Sequence, residues 1–231
     1  MMQNKEDKDN TLWEYYGITK TGLRHQEKNL LCQDRVSYKE NGHRQAIALV
    51  DGIGQTNKNV LAGDQIAEYL TDIMVSQFDK IMEQEQVEMN RWLLKDIYRI
   101  IENLMQEFSM PKEEFASTIA VIGLDHDRNA YCALHLGDGI IITMNDEIEV
   151  ISYPENGFCT NQTYLTISEN ALQKLRRSKG QIDNKTEFAI ISDGAYRMSD
   201  LHEMLIPLIN SEEFYLETED DRGFVRLKKA N

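Results

Sequence analysis

The sequence predicts an α+β layered domain with hairpin-rich, mostly antiparallel sheets. Three observations lead there. Short apolar or β-branched runs, bounded by turn residues, lie on both sides of the middle of the chain. Between them, Asp64 to Met110 contains no glycine or proline and carries apolar residues at helical spacing. The order of strands, two long helices, strands, a short helix and a last strand is not the regular alternation that builds a parallel sheet. No internal repeat and no linker rich in Pro, Gly or Ser interrupts it, so residues 11–231 read as one domain behind a disordered tail at 1–10.

Leu12 to Thr19 is aromatic and β-branched and reads as the first strand. Thr21 to Leu31 is polar and reads as a loop. Arg35 to Lys39 forms a second strand, and Asn41-Gly42 is a hairpin signal that returns the chain into Ala46–Val50, antiparallel to it. Ile66, Leu70, Ile73, Met74, Phe78 and Ile81 mark one amphipathic helix. Leu93, Ile97, Ile100, Ile101, Leu104 and Phe108 mark another, joined to it around Glu83 to Met89 and closed by Pro111. Strands follow at Ser117–Leu124, Ala130–Leu136, Ile140–Met144 and Ile148–Ser152, then a loop over Pro154–Gln162 and a short strand at Thr163–Ile167. Ser168 is expected to cap a helix running to Arg177. Glu187–Ser192 is a strand, Asp200–Asn210 is helical despite Pro207, and Phe224–Lys228 is the last strand.

The chain carries 39 acidic and 25 basic residues, a net charge of −14, which argues against nonspecific nucleic-acid binding because that needs a basic footprint. Cys32, Cys132 and Cys159 are odd in number and form no CxxC pair, so they read as reduced thiols of a cytoplasmic protein, with zinc disfavoured. No signal peptide, transmembrane run or membrane partner is indicated, and a monomer is expected.

The chemistry concentrates where strands end. Ala46–Val50 runs into Asp51-Gly52, and Phe188–Ser192 into Asp193-Gly194. Tyr131–Leu136 leads to Gly137-Asp138-Gly139, and Asp220-Asp221 precedes the last strand. Alone, each reads as an ordinary turn. A carboxylate at the end of a buried strand costs free energy unless its charge is compensated. Recurrence at four strand ends in one chain favours a shared, oxygen-lined metal site.

Taken together, Gly22-Leu-Arg-His25, Cys32-Gln33-Asp34, Asp51-Gly52-Ile53-Gly54, Ser117-Thr118, Gly137-Asp138, Ser192-Asp193-Gly194 and Asp220 resemble, in order and rough spacing, the metal-dependent serine/threonine protein phosphatases of the 2C type, in their short bacterial branch. The resemblance implies a four-layer αββα sandwich, two antiparallel sheets flanked by helix pairs. It also implies two Mn²⁺ or Mg²⁺ ions. Asp51 bridges them, Gly52 lends its carbonyl oxygen, Asp193 and Asp220 complete one ion, and Asp138 holds a weaker third. Such ions, roughly 3.5–4 Å apart, share a water, lower its pKa and clamp phosphate, so that the resulting hydroxide attacks phosphorus in line. The implied substrate is a phosphorylated protein.

The match departs from the family pattern in places. Gln33 stands where many members have a metal-supporting Glu, which leaves Asp34 to serve the second ion directly or through water. Asn29 stands where many have a phosphate-gripping Arg, with Arg24 and Arg35 as nearby candidates. His25 reads equally as proton donor to the leaving group or as a structural loop histidine. His135 reads as a core histidine, Asp64 and Asp200 as helix N-caps, and Asp221 as solvated or a ligand through water. The competing functional reading is a catalytically weak regulatory or binding module. A hydrolase of small phosphorylated molecules is a third.

Overall fold

Every residue of Ala46–Val50 is buried, although the residues alternate between two different surroundings. Ala46, Ala48 and Val50 pack against helices, while Ile47 and Leu49 pack against a second sheet. That is why the run is continuously apolar: a strand covered on both faces has no solvent side to keep polar.

The computed structural model describes residues 13–155, 163–195 and 218–230. The strands are β1 (Trp13–Lys20), β2 (Asp34–Asn41), β3 (Arg44–Asp51), β4 (Ile119–Asp125), β5 (Ala130–Leu136), β6 (Ile140–Met144), β7 (Ile148–Ser152), β8 (Arg176–Gln181), β9 (Glu187–Ile191) and β10 (Arg222–Lys229). The helices are α1 (Leu23–Glu27), α2 (Asn59–Ser76), α3 (Phe78–Glu83), α4 (Gln86–Phe108) and α5 (Ala171–Lys174).

Among the described residues, two five-stranded antiparallel sheets result, ordered β1-β10-β9-β6-β7 and β2-β3-β4-β5-β8. Trp13, Ile47, Leu49, Ile122, Phe188, Ile190 and Val225 fill the space between them. The outer face of the β3 sheet is covered by α2, α3 and α4 through Ile66, Leu70, Met74, Phe78, Leu93, Ile97 and Ile101. Phe78 is fully buried there, and its truncation to alanine is expected to cost about 3–5 kcal/mol. The outer face of the β1 sheet presents Ile140, Ile142, Ala189, Ile191 and Phe224. The expected tail at 1–10 and the expected helix at Asp200–Asn210 lie outside the described residues.

Several expectations are corrected. Thr21–Leu31 holds the short helix α1, whose first turn is clamped from outside: Leu23 N–H donates to Thr218 O and Arg24 N–H to Glu219 O. Asp64 is no N-cap. Helix α2 starts at Asn59, and Asp64 sits inside it, accepting from Arg35 Nε at 2.5 Å. Thr163–Ile167 is not a strand, and the helix expected from Ser168 is reduced to α5. Arg176–Gln181 is instead the edge strand β8, paired with β5. Its side chains are polar and part-exposed, so no apolar alternation marked it.

Candidate metal centre

Strand pleating decides which acidic side chains meet. On β2, Val36 and Tyr38 face the space between the sheets, so Asp34 faces it too. Ile47 and Leu49 place Asp51 likewise on β3. Asp34 and Asp51 are direct cross-strand partners at the ends of their strands. Asp138 lies in the turn that carries the chain from β5 to β6, hence from one sheet to the other. Asp193 follows β9, and Asp220 lies just before β10. All converge on one end of the sandwich.

Asp51, Asp138, Asp193 and Asp220 line a cleft of about 220 Å³ together with His25, Gln33, Gly52, Gly54 and Thr118, and Asp34 lies behind them. Carboxylate oxygens of Asp51, Asp138 and Asp193 lie within 4.8 Å of one another. Burial, then the charges of Asp34, Asp193 and Asp138, drive the Asp51 carboxyl well above the usual range. Burial dominates at Asp34 as well. A hydrogen bond from Ser192 opposes it, the charges of Asp193 and Asp221 add to it, and the group is pushed up to about 7. Asp193 is also pushed up to about 7, by burial and then by Asp138 and Asp220. Asp138 is raised by burial, against a hydrogen bond from Thr163.

The donor set fits a hard divalent cation. Its side chains offer carboxylate, amide and hydroxyl oxygen, and no arginine or lysine is among the described residues that line the cleft. Asp34 Oδ2 and Gln33 Oε1 are buried with no hydrogen-bond partner. Such oxygens are costly unless a cation or its water meets them.

Backbone packing holds the set in place. Asp51 N–H donates to Thr118 Oγ1 at 3.1 Å, and Thr118 N–H donates to Asp51 O at 2.8 Å. Gln33 Nε2 donates to Gly54 O at 2.7 Å, which fixes the amide with Oε1 as its other end. At Gly52 a Cβ would lie 1.7 Å from Asn59 Oδ1, and Asn59 is itself tied to Glu114 O at 2.9 Å. Only glycine fits there. Gly22 is crowded in the same way: a Cβ would lie 2.2 Å from the Asp220 carbonyl carbon.

The sequence-selected residues do not all arrive together. Asp34 is buried at its strand end and does not line the cleft. Asp220 lines the cleft but is outside the tight Asp51–Asp138–Asp193 group, and its Oδ1 accepts from Asp221 N–H at 3.0 Å. Arg35 points to the helix side of its sheet and pairs with Asp64, so its guanidinium is turned from the cleft. Arg24 pairs with Glu219 at 3.6 Å, largely in solvent, and does not line the cleft.

Asp221 departs from its expected solvated place. It is buried rather than solvated. Its Oδ1 accepts from Gly22 N–H at 2.8 Å, and its Oδ2 accepts from Gln33 N–H at 2.5 Å and lies 2.8 Å from His25 Nδ1. The one signal available beforehand was its place beside Asp220 at a strand start.

A family model of protein phosphatase 2C matches residues 21–228. No curated protein matches the chain by sequence. Solved structures similar to it include the serine/threonine phosphatase of S. agalactiae, at 15% identity and TM-score 0.63, covering 95% of this chain and 100% of that one. The serine/threonine phosphatase of Staphylococcus aureus aligns at 16% identity and TM-score 0.57, covering 100% of both chains. RsbX, solved in complex with magnesium, aligns at 16% identity and TM-score 0.53, covering 95% of this chain and 100% of that one. At such identities these likenesses speak to the fold.

Proposed function

The chain belongs to the protein phosphatase 2C family, and from that premise we propose that it is a metal-dependent phosphatase of phosphoserine and phosphothreonine in proteins. The observation that supports this best is the convergence of Asp51, Asp138 and Asp193, with carboxylate oxygens within 4.8 Å of one another, at the end of the sandwich. Two Mn²⁺ or Mg²⁺ ions would be held by Asp51, the Gly52 carbonyl oxygen, Asp193 and Asp220 on one side and by Asp34 with Gln33 on the other, and Asp138 would hold a third. When bound, the ions supply Lewis acidity: they lower the pKa of water and neutralise phosphoryl charge.

The chain's own residues do the rest. Asp51, fixed by Thr118, sets the position at which phosphate is received. Gln33 contributes a neutral oxygen where a carboxylate would add charge. His25 is the one side chain lining the cleft, among the described residues, that can carry a positive charge, and it is the proton donor to the departing oxygen. Water attacks phosphorus in line with the serine or threonine oxygen that leaves. No protein nucleophile is involved: Cys32 and Cys132 are buried, and burial pushes the Cys132 thiol up to about 12. Those unbridged thiols, with the acidic composition, support a cytoplasmic setting and no nucleic-acid partner.

A binding module that keeps the fold without useful turnover is the competing reading, and the neutral Gln33 favours it. Asp51→Asn separates the two. The enzyme reading expects metal-dependent hydrolysis of a phosphothreonine peptide to fall by about 10²-fold or more in the variant. Absence of hydrolysis in wild type with either metal, with partner binding unchanged in the variant, would favour the module.

A further inference from the structure

We propose that Asp221 is a positioning residue for His25, fixing which ring nitrogen faces the reacting phosphate. This rests on the phosphatase reading above. Asp221 is buried, and both of its oxygens face donors. Oδ1 meets Gly22 N–H at 2.8 Å and Oδ2 meets Gln33 N–H at 2.5 Å. Main-chain N–H groups can only donate, so the carboxylate is held as a pure acceptor. Its Oδ2 also lies 2.8 Å from His25 Nδ1.

An acceptor at that place puts a hydrogen on Nδ1 in the neutral ring as well as in the cation. Nε2 is then the nitrogen that exchanges a proton. His25 lines the cleft, and Nε2 has no protein hydrogen-bond partner among the described residues. The two main-chain bonds alone would suffice to join the N-terminal loop to the start of β10. The third contact, to the imidazole, serves the cleft.

The proton inventory closes. As the water oxygen bonds to phosphorus and the ester P–O bond breaks, the Nε2 proton of the imidazolium passes to the departing serine or threonine oxygen. The alcohol leaves neutral. A proton of the attacking water, now on the phosphate product, returns through solvent to Nε2 and restores the cation.

The test compares wild type, His25→Gln, Asp221→Asn and the double variant with Mg²⁺, on a phosphothreonine peptide and on p-nitrophenyl phosphate. The alkyl leaving group needs a proton and the nitrophenolate does not. His25→Gln is expected to lower kcat about 10²-fold on the peptide and less than tenfold on the aryl ester. Asp221→Asn should show the same split, and the double variant should be no worse than about threefold below His25→Gln. Equal losses on both substrates in Asp221→Asn, or multiplying losses in the double variant, would overturn the proposal. Nitrogen NMR of the wild-type His25 ring gives an independent reading, with Nδ1–H expected in the neutral ring. An Nε2–H tautomer would overturn the proposal whatever the kinetics. Wild type inactive on both substrates would instead remove the phosphatase reading, and the ring tautomer would still decide the role of Asp221.

Discussion

Asp34 and Asp51 face each other across the β2–β3 ladder at the strand ends, and the charge of Asp34 adds to burial in raising the Asp51 carboxyl. Two acids this close, with Asp34 fully enclosed, resist ionising together unless a cation lies beside them. The pair is therefore a built-in demand for positive charge.

Cation binding should stabilise the native chain. Chelator is expected to lower the thermal midpoint relative to Mg²⁺ or Mn²⁺. Occupancy at a hundred times Kd contributes about 2.7 kcal/mol, or roughly 5–10 °C for a chain of this size. Scanning calorimetry with metal and with EDTA checks it. A midpoint indifferent to metal would count against the site.

Asp34→Asn should separate stability from binding. With one acid gone the metal-free protein should gain about 1 kcal/mol, and a midpoint a few degrees higher, by loss of like-charge crowding. The rise caused by Mg²⁺ should shrink in the same variant. Paired thermal scans read both effects, and a variant that is less stable without metal and unchanged with it would contradict the placement of Asp34.

Gln33→Glu should act in the opposite direction. Glutamate cannot donate to Gly54 O, so the metal-free protein should lose about 1–3 kcal/mol. The added charge should tighten cation binding by roughly tenfold. Isothermal titration with Mn²⁺ reads the second effect, and urea unfolding in EDTA reads the first.

Gly52→Ala should damage the centre without touching a carboxylate. Its methyl group would meet Asn59 Oδ1 at 1.7 Å, and the required backbone shift should cost about 1–3 kcal/mol and carry Asp51 off its position. Weaker Mn²⁺ binding together with a lower urea midpoint is the expected result.

His135 sets part of the acid stability. Burial, then the Arg176 charge, hold its imidazole down to about 3. Its Nδ1 lies 2.8 Å from Ser152 Oγ. Between about 6.5 and 3 the unfolded chain takes up a proton that the native imidazole refuses, so stability falls as pH drops, by at most about 1.4 kcal/mol per pH unit. His135→Gln should flatten that slope. The difference between variant and wild type across pH 4–7 isolates it from the carboxylates of the cleft.

Much of this was legible because it follows from chain-local rules. The continuous apolar run Ala46–Val50 and the Asn41-Gly42 turn located β2 and β3, and the aspartates that end apolar runs marked the centre. What was missed depends on distant partners. Asp221 looked solvated because the groups it receives, on Gly22, His25 and Gln33, lie far back in the chain. Asp64 is a cap-type residue by sequence, but it lies inside α2 and pairs with Arg35. The same ion pair removed Arg35 from the cleft, since residues adjacent on a strand face opposite ways. Strand β8 has an edge position and part-exposed polar side chains, so its pairing with β5 left no hydrophobic trace.

The most direct measurement is turnover of a phosphothreonine peptide by wild type and Asp193→Asn, each with Mn²⁺, with Mg²⁺ and with EDTA. Turnover that requires metal and falls by about 10²-fold or more in the variant is the expected result. Turnover that survives EDTA, or that Asp193→Asn retains at the wild-type rate, would contradict a phosphatase built on the strand-end carboxylates.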